Sequence, residues 1–155
     1  PLSDWQIVWG KYLAGVVLVL LALVPTFIYF FSVYRLSLPV GNVDTGGIWG
    51  SYIGLFFLSA AFVSIGIFCS SVTNNQILAF LLSVFLCGFL YIGFDMIYSM
   101  ALFGSVDLFI QHLGMSSHYS SLSRGVIDTR DILYFVSLIV LFLSMTKLVL
   151  SSRKW

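Results

Sequence analysis

The chain has 155 residues, of which 60% are hydrophobic, 17% aromatic and only 8% charged. Soluble domains carry about 25% charged residues, so these proportions, with a mean hydropathy of +1.06, describe a chain dissolved mostly in lipid. The seven Lys/Arg and six acids, all Asp, leave a net charge of +1. That excludes a basic nucleic-acid binder and a disordered, polar segment.

A spanning helix needs roughly 20 apolar residues, so the length allows four spans with short connections and no second, soluble domain. Residues 1–155 read as one transmembrane domain. The chain opens on Pro1, not Met, and reads as part of a longer protein. Its first residues carry no signal-peptide pattern.

The first predicted helix covers residues 5–34. Ser3 or Asp4 is its expected cap, and Pro25 within it is expected to kink it. Arg35–Ile48, with Pro39, Gly41, Asn42, Asp44, Gly46 and Gly47, reads as a loop. The uncharged stretch Thr45–Phe94 is too long for one span. Its polar cluster Ser70–Gln76 divides it into predicted helices over 49–71 and 75–100, antiparallel across a tight turn capped by Thr73 or Asn74.

Beyond residue 100 the pattern changes. Val106, Phe109, Ile110 and Leu113 recur at helical spacing, with Asp107, Gln111 and His112 opposite them. Met115, Tyr119, Leu122 and Val126 continue a weaker stripe. Neither run is long enough to span. Residues 101–130 therefore read as external interfacial or re-entrant helices. Arg124–Asp131, with mixed charges, reads as a solvated turn. The last predicted span covers 131–150. Lys147 is placed to snorkel to the headgroups, and the chain ends on Arg153, Lys154 and the interfacial aromatic Trp155. Four spans put both ends on one side. Lys11, Lys147, Arg153 and Lys154 then face Arg35, Arg124 and Arg130, a positive-inside balance that favours cytoplasmic ends.

Few residues offer chemistry. Gly46, Gly50 and Gly54 fall at four-residue spacing, and Gly66 follows with Ser59, Ala60, Ala61, Ser64 and Ser70. Such a stripe allows close helix approach, either inside the bundle or at a subunit interface. Asp95 lies near the end of its run, where an acid costs little. His112 and His118 lack further ligands at metal spacing. Cys69 and Cys87 read as packing residues. The sequence has no phosphate-binding loop, zinc-hydrolase motif or nucleophile elbow.

Three segments resemble the ABC-2 type transporter permeases. Pro1–Leu13 is similar to the segment entering that family's third helix. Gly66–Gln76 is similar to the turn between its fourth and fifth helices, where an acid is common at the position of Asn74. Ser123–Phe135 looks like its closing part. Within the family, the gliding-motility-associated permeases of Bacteroidetes are the most similar group. The resemblance implies an all-α polytopic bundle of the ABC-2 exporter type, the last four helices of six, in a bacterial inner membrane. The preceding helices would hold the cytoplasmic coupling helix. The implied partners are an ABC ATPase subunit, a second permease subunit, identical or different, and membrane lipid, with no cofactor and no covalent chemistry in this chain. It also implies that Ser3, Asp4 and Trp5, with Thr73, Asn74, Asn75 and Gln76, are the cytoplasmic residues facing the ATPase. The alternatives are a non-transporting membrane anchor of a motility or secretion machine, and an intramembrane enzyme, which would need convergent polar groups at one depth.

Overall fold

The computed structural model describes residues 2–102 and 104–153. Pro1, Phe103 and the expected interfacial pair Lys154 and Trp155 lie outside the described residues. Among the described residues every regular element is helical: α1 (Asp4–Leu23), α2 (Phe27–Leu36), α3 (Thr45–Val72), α4 (Gln76–Gly88), α5 (Phe94–Ser99), α6 (Asp107–Leu113), α7 (Met115–Ser123) and α8 (Thr129–Ser152). Four helical stretches are long and apolar enough to cross a membrane: Asp4–Leu36, Thr45–Val72, Gln76–Ser99 and Thr129–Ser152.

Each long helix starts on a side-chain cap. Ser3 closes a capping box with Gln6, its amide donating to Gln6 Oε1 at 2.8 Å. Asn75 Oδ1 accepts from the amides of Ile77 and Leu78, so the cap of α4 is Asn75 and not Thr73 or Asn74. Thr73 Oγ1 instead accepts from the Asn75 amide and shapes the turn. Asp128 caps α8 through the Arg130 amide.

Asp44 also overturns part of the expected loop. Its carboxylate accepts from Gly47 at 3.0 Å, and α3 begins at Thr45. Gly46 and Gly47 are helical despite their loop-like composition. At Pro25 the first span changes to a short 3-10 turn, Val24–Thr26, before continuing as α2. Proline cannot donate in the helical ladder. Beside it, Thr26 Oγ1 donates to the Leu23 carbonyl and shares a 2.9 Å hydrogen bond with the Tyr52 hydroxyl of α3. A π-helical turn, Phe89–Gly93, joins α4 to α5.

The core is organised on α3, which packs against α1, α4, α7 and α8. Ala61, Ser64 and Ile65 of α3 are fully buried, as are Met115, Leu122 and Phe135 of the elements against it. Phe68 meets Phe142 across the α3–α8 contact at 5.7 Å. Phe62 meets Tyr91 in the π turn, and Phe27 stacks on Tyr52 at 4.5 Å. By contrast, α2, α4 and α5 contribute no buried residue. Most of their apolar side chains face outward, as lipid-facing helices require, while Leu86 and Cys87 of α4 lean on the core.

Helix α6 is amphipathic as expected, but its apolar stripe faces out. Val106 and Phe109 are exposed, while Asp107 is buried. Helix α7 turns its own stripe inward, with Met115 and Leu122 at 0% exposure.

The glycine stripe explains how α7 reaches α3. A Cβ on Gly50 would overlap the Leu122 carbonyl and stand 2.6 Å from Gly125 Cα. One on Gly54 would sit 3.0 Å from Leu122 Cβ. Gly125, at φ +81°, meets the Gly46 backbone in return. Gly50→Leu therefore forces α7 off α3. We expect a loss of about 3 kcal/mol or more, from overpacking at a backbone contact. Gly10→Ala, whose Cβ meets nothing within 4 Å, should leave stability intact or raise it by up to about 1 kcal/mol, since alanine is the better helix former. Thermal unfolding in mild detergent compares the two.

Candidate functional sites at the two ends of the bundle

The residues singled out at the start of α1 and in the α3–α4 turn fall at the same end of the bundle. Helix α8 bridges them. Lys147 Nζ lies over the Trp5 ring, 5.8 Å from its centroid. Arg153 donates to Asn74 Oδ1 at 2.9 Å and to the Val72 carbonyl at 3.0 Å. Asn74 therefore has a partner that its sequence position does not reveal. The guanidinium also satisfies a carbonyl of α3's last turn, which has no acceptor role inside the helix.

These residues form a polar edge. Ser3, Asn74, Asn75 and Gln76 are exposed, Asp4 and Thr73 are half-buried, and Trp5 is 41% exposed. The side chains of Ser3, Thr73 and Asn75 are engaged in local capping. Trp5 and Gln76 are exposed and take no part in the capping. Of the glycines proposed for packing, Gly50 and Gly54 are buried against α7 and Gly46 meets Gly125, all contacts inside the chain. Gly66 faces open space.

At the opposite end lies a polar cluster formed by α6, α7 and the start of α8. His118 Nδ1 is 2.6 Å from Asp131 Oδ1, and its Nε2 is 2.8 Å from the His112 carbonyl. The ring stacks on Tyr134 with centroids 4.0 Å apart. Tyr134 in turn donates to the Leu113 carbonyl. A carbonyl only accepts, so Nε2 must carry a proton. Asp131 Oδ1 engages the other ring nitrogen, Nδ1. Asp131 is 7% exposed, which corrects the expectation that Arg124–Asp131 is wholly solvated. Arg124, Asp128 and Arg130 are exposed as expected. A wider cavity of about 450 Å³ borders the pair, lined by Ser117, Ser121, Arg124 and Arg130 among others.

This cluster was not legible in the sequence. His118 and Asp131 stand thirteen residues apart on different helices. The usable signal was the coincidence of a histidine with an acid in the first turn of a span. Sequence proximity points instead to Asp107, which is buried elsewhere on α6. Among the described residues no group of three His, Cys, Asp or Glu side chains is placed to hold a metal ion. Cys69 and Cys87 are free.

Chemically, the His118–Asp131–Tyr134 set ties α7 to α8. Both ring nitrogens are already engaged, so the imidazole has no free lone pair for base catalysis in this arrangement. Removing one partner leaves a buried polar group unmatched. Asp131→Ala and His118→Ala should each destabilise the protein by about 3 kcal/mol. The double variant should lose clearly less than the sum, because the second removal relieves the orphan left by the first. Thermal unfolding of the four proteins closes that cycle. No family model, curated protein or solved structure matches this chain.

Proposed function

We propose that this chain is a membrane-spanning permease subunit of an ATP-driven export system of the ABC-2 type, working with a separate ATPase and a second permease subunit. The observation that carries the reading is the position of α6 and α7. They form a short helical pair between the last two spans, folded back so that α7 lies on the far half of α3. The similarity of the three sequence segments to that family implies such a pair on the external side. Association with gliding motility rests on the same similarity.

In this reading the chain does no covalent chemistry. ATP binding closes the partner ATPases, and the motion enters the membrane through cytoplasmic contacts. Of the residues present, Trp5 and Gln76, both exposed and without a capping role, are the candidates on that edge. The spans α1–α2 and α4–α5 expose apolar faces, which suit lipid on one side and a second subunit on the other. Substrate would pass between subunits, since the buried core of this chain is apolar apart from Ser64, Asp107, Asp131 and Thr146.

That apolar core also favours a second reading, a membrane anchor that holds a machine without moving a solute. ATP turnover distinguishes them. The export reading expects the full-length protein, purified from its own membrane, to retain an ATP-hydrolysing subunit whose turnover a transported substrate stimulates. Trp5→Ala should weaken that association by about thirtyfold, the effect of about 2 kcal/mol at an aromatic contact, with only the small loss of stability, about 1 kcal/mol or less, that removing the Lys147 contact brings. A stable complex without an ATPase would contradict the export reading and leave the anchor.

A further inference from the structure

The end of the bundle where α1 begins and α3 and α8 finish holds a cavity of about 370 Å³, within the usual range of about 300–1,000 Å³ for small-ligand sites. Its origin is in the sequence. Helices α1 and α3 approach closely at Gly15, where a Cβ would stand 2.6 Å from Val63. Nearer the end of the bundle where α1 begins, Gly66 of α3 meets nothing within 4 Å of where its Cβ would be. A larger residue there would fill the space.

The lining is chemically one-sided. Lys11 of α1 and Arg153 at the end of α8 both border the cavity, and no acid does. Lys11 has no hydrogen bond or ion pair among the described residues. Arg153 spends one donor on Asn74 Oδ1 and one on the Val72 carbonyl; a guanidinium has five. Its bond to Val72 also masks a terminal carbonyl of α3 that would otherwise repel an anion. Ser70 adds a hydroxyl, while Ile67 and Leu150 form apolar wall.

We propose that this cavity binds a phosphate oxyanion held between Lys11 and Arg153. Charge-assisted donors around an oxyanion are the strong form of hydrogen bond, and a cationic rim above apolar wall at the end of a spanning bundle fits an anionic phospholipid headgroup. Free phosphate presents the same oxygens. The proposal is independent of the export reading, since it needs neither an ATPase nor a second subunit.

Native mass spectrometry of the full chain in mild detergent tests it, with phosphatidic acid or phosphatidylcholine added at equal concentration. Phosphatidic acid should be retained preferentially. Lys11→Gln, at an exposed position, should weaken retention about tenfold, the usual effect of losing one charge-assisted bond. Gly66→Leu should abolish it by occupying the cavity. Circular dichroism checks that both variants fold; Lys11→Gln carries the test alone if Gly66→Leu does not. Displacement of the lipid by excess inorganic phosphate supports a site that reads the phosphate alone. Retention despite that excess supports a lipid site. Equal retention of the two lipids, or unchanged phosphatidic acid retention in folded Lys11→Gln, would overturn the proposal.

Discussion

The close approach of other helices to α3 is the constraint on which the rest of this structure depends. Between helices in lipid there is no hydrophobic driving force, so association rests on dispersion and on backbones coming close. Gly50 and Gly54 let α7 lie on α3 with almost no intervening side chain. Gly15 does the same for α1 against Val63. Ala60, Ala61 and Ser64 keep the middle of α3 narrow and buried, while α8 packs along it with Phe142 against Phe68. Without those small residues, α7 would have no seat and the His118–Asp131 pair would lose the geometry that joins α7 to α8.

What α3 gathers, the outer spans leave open. The first span, Asp4–Leu36, and the third, Gln76–Ser99, have no buried residue in their most apolar windows. Both are broken midway, one at Pro25 and one at the π turn Phe89–Gly93. Such interruptions are places where a spanning helix can bend. An inner pair, α3 and α8, that stays packed and an outer pair with bends and lipid-facing surfaces is a workable division for a subunit that moves against a partner. The same division would also let an anchor settle in a bilayer.

Much of this was legible in the sequence, because hydrophobic runs bounded by charges dictate spans with little help from tertiary contacts. The four spanning stretches, an interruption of the first span at Pro25, and the short helices between residues 101 and 130 follow from such local signals. The errors came where two local rules compete. Gly46 and Gly47 are poor helix formers and read as loop, yet the Asp44 cap and the contact with Gly125 make them helical. Thr73, Asn74 and Asn75 all suit a cap, and only backbone geometry selects Asn75. The polar sites were less legible. Hydrophobic periodicity locates a face but not its neighbour, so His118 with Asp131 and Asn74 with Arg153, seventy-nine residues apart, required the fold.

The central claim is a four-crossing bundle on α3 that brings the start of α1, the α3–α4 turn and the end of α8 to one side. Single-cysteine labelling tests it most directly, in a background with Cys69 and Cys87 replaced by Ala. Cysteines at Ser3 and Asn74 should react with a membrane-impermeant maleimide from the same side of the membrane, and cysteines at Asn42 and Ser120 from the other. Labelling of Ser3 and Asn74 from opposite sides would contradict the arrangement.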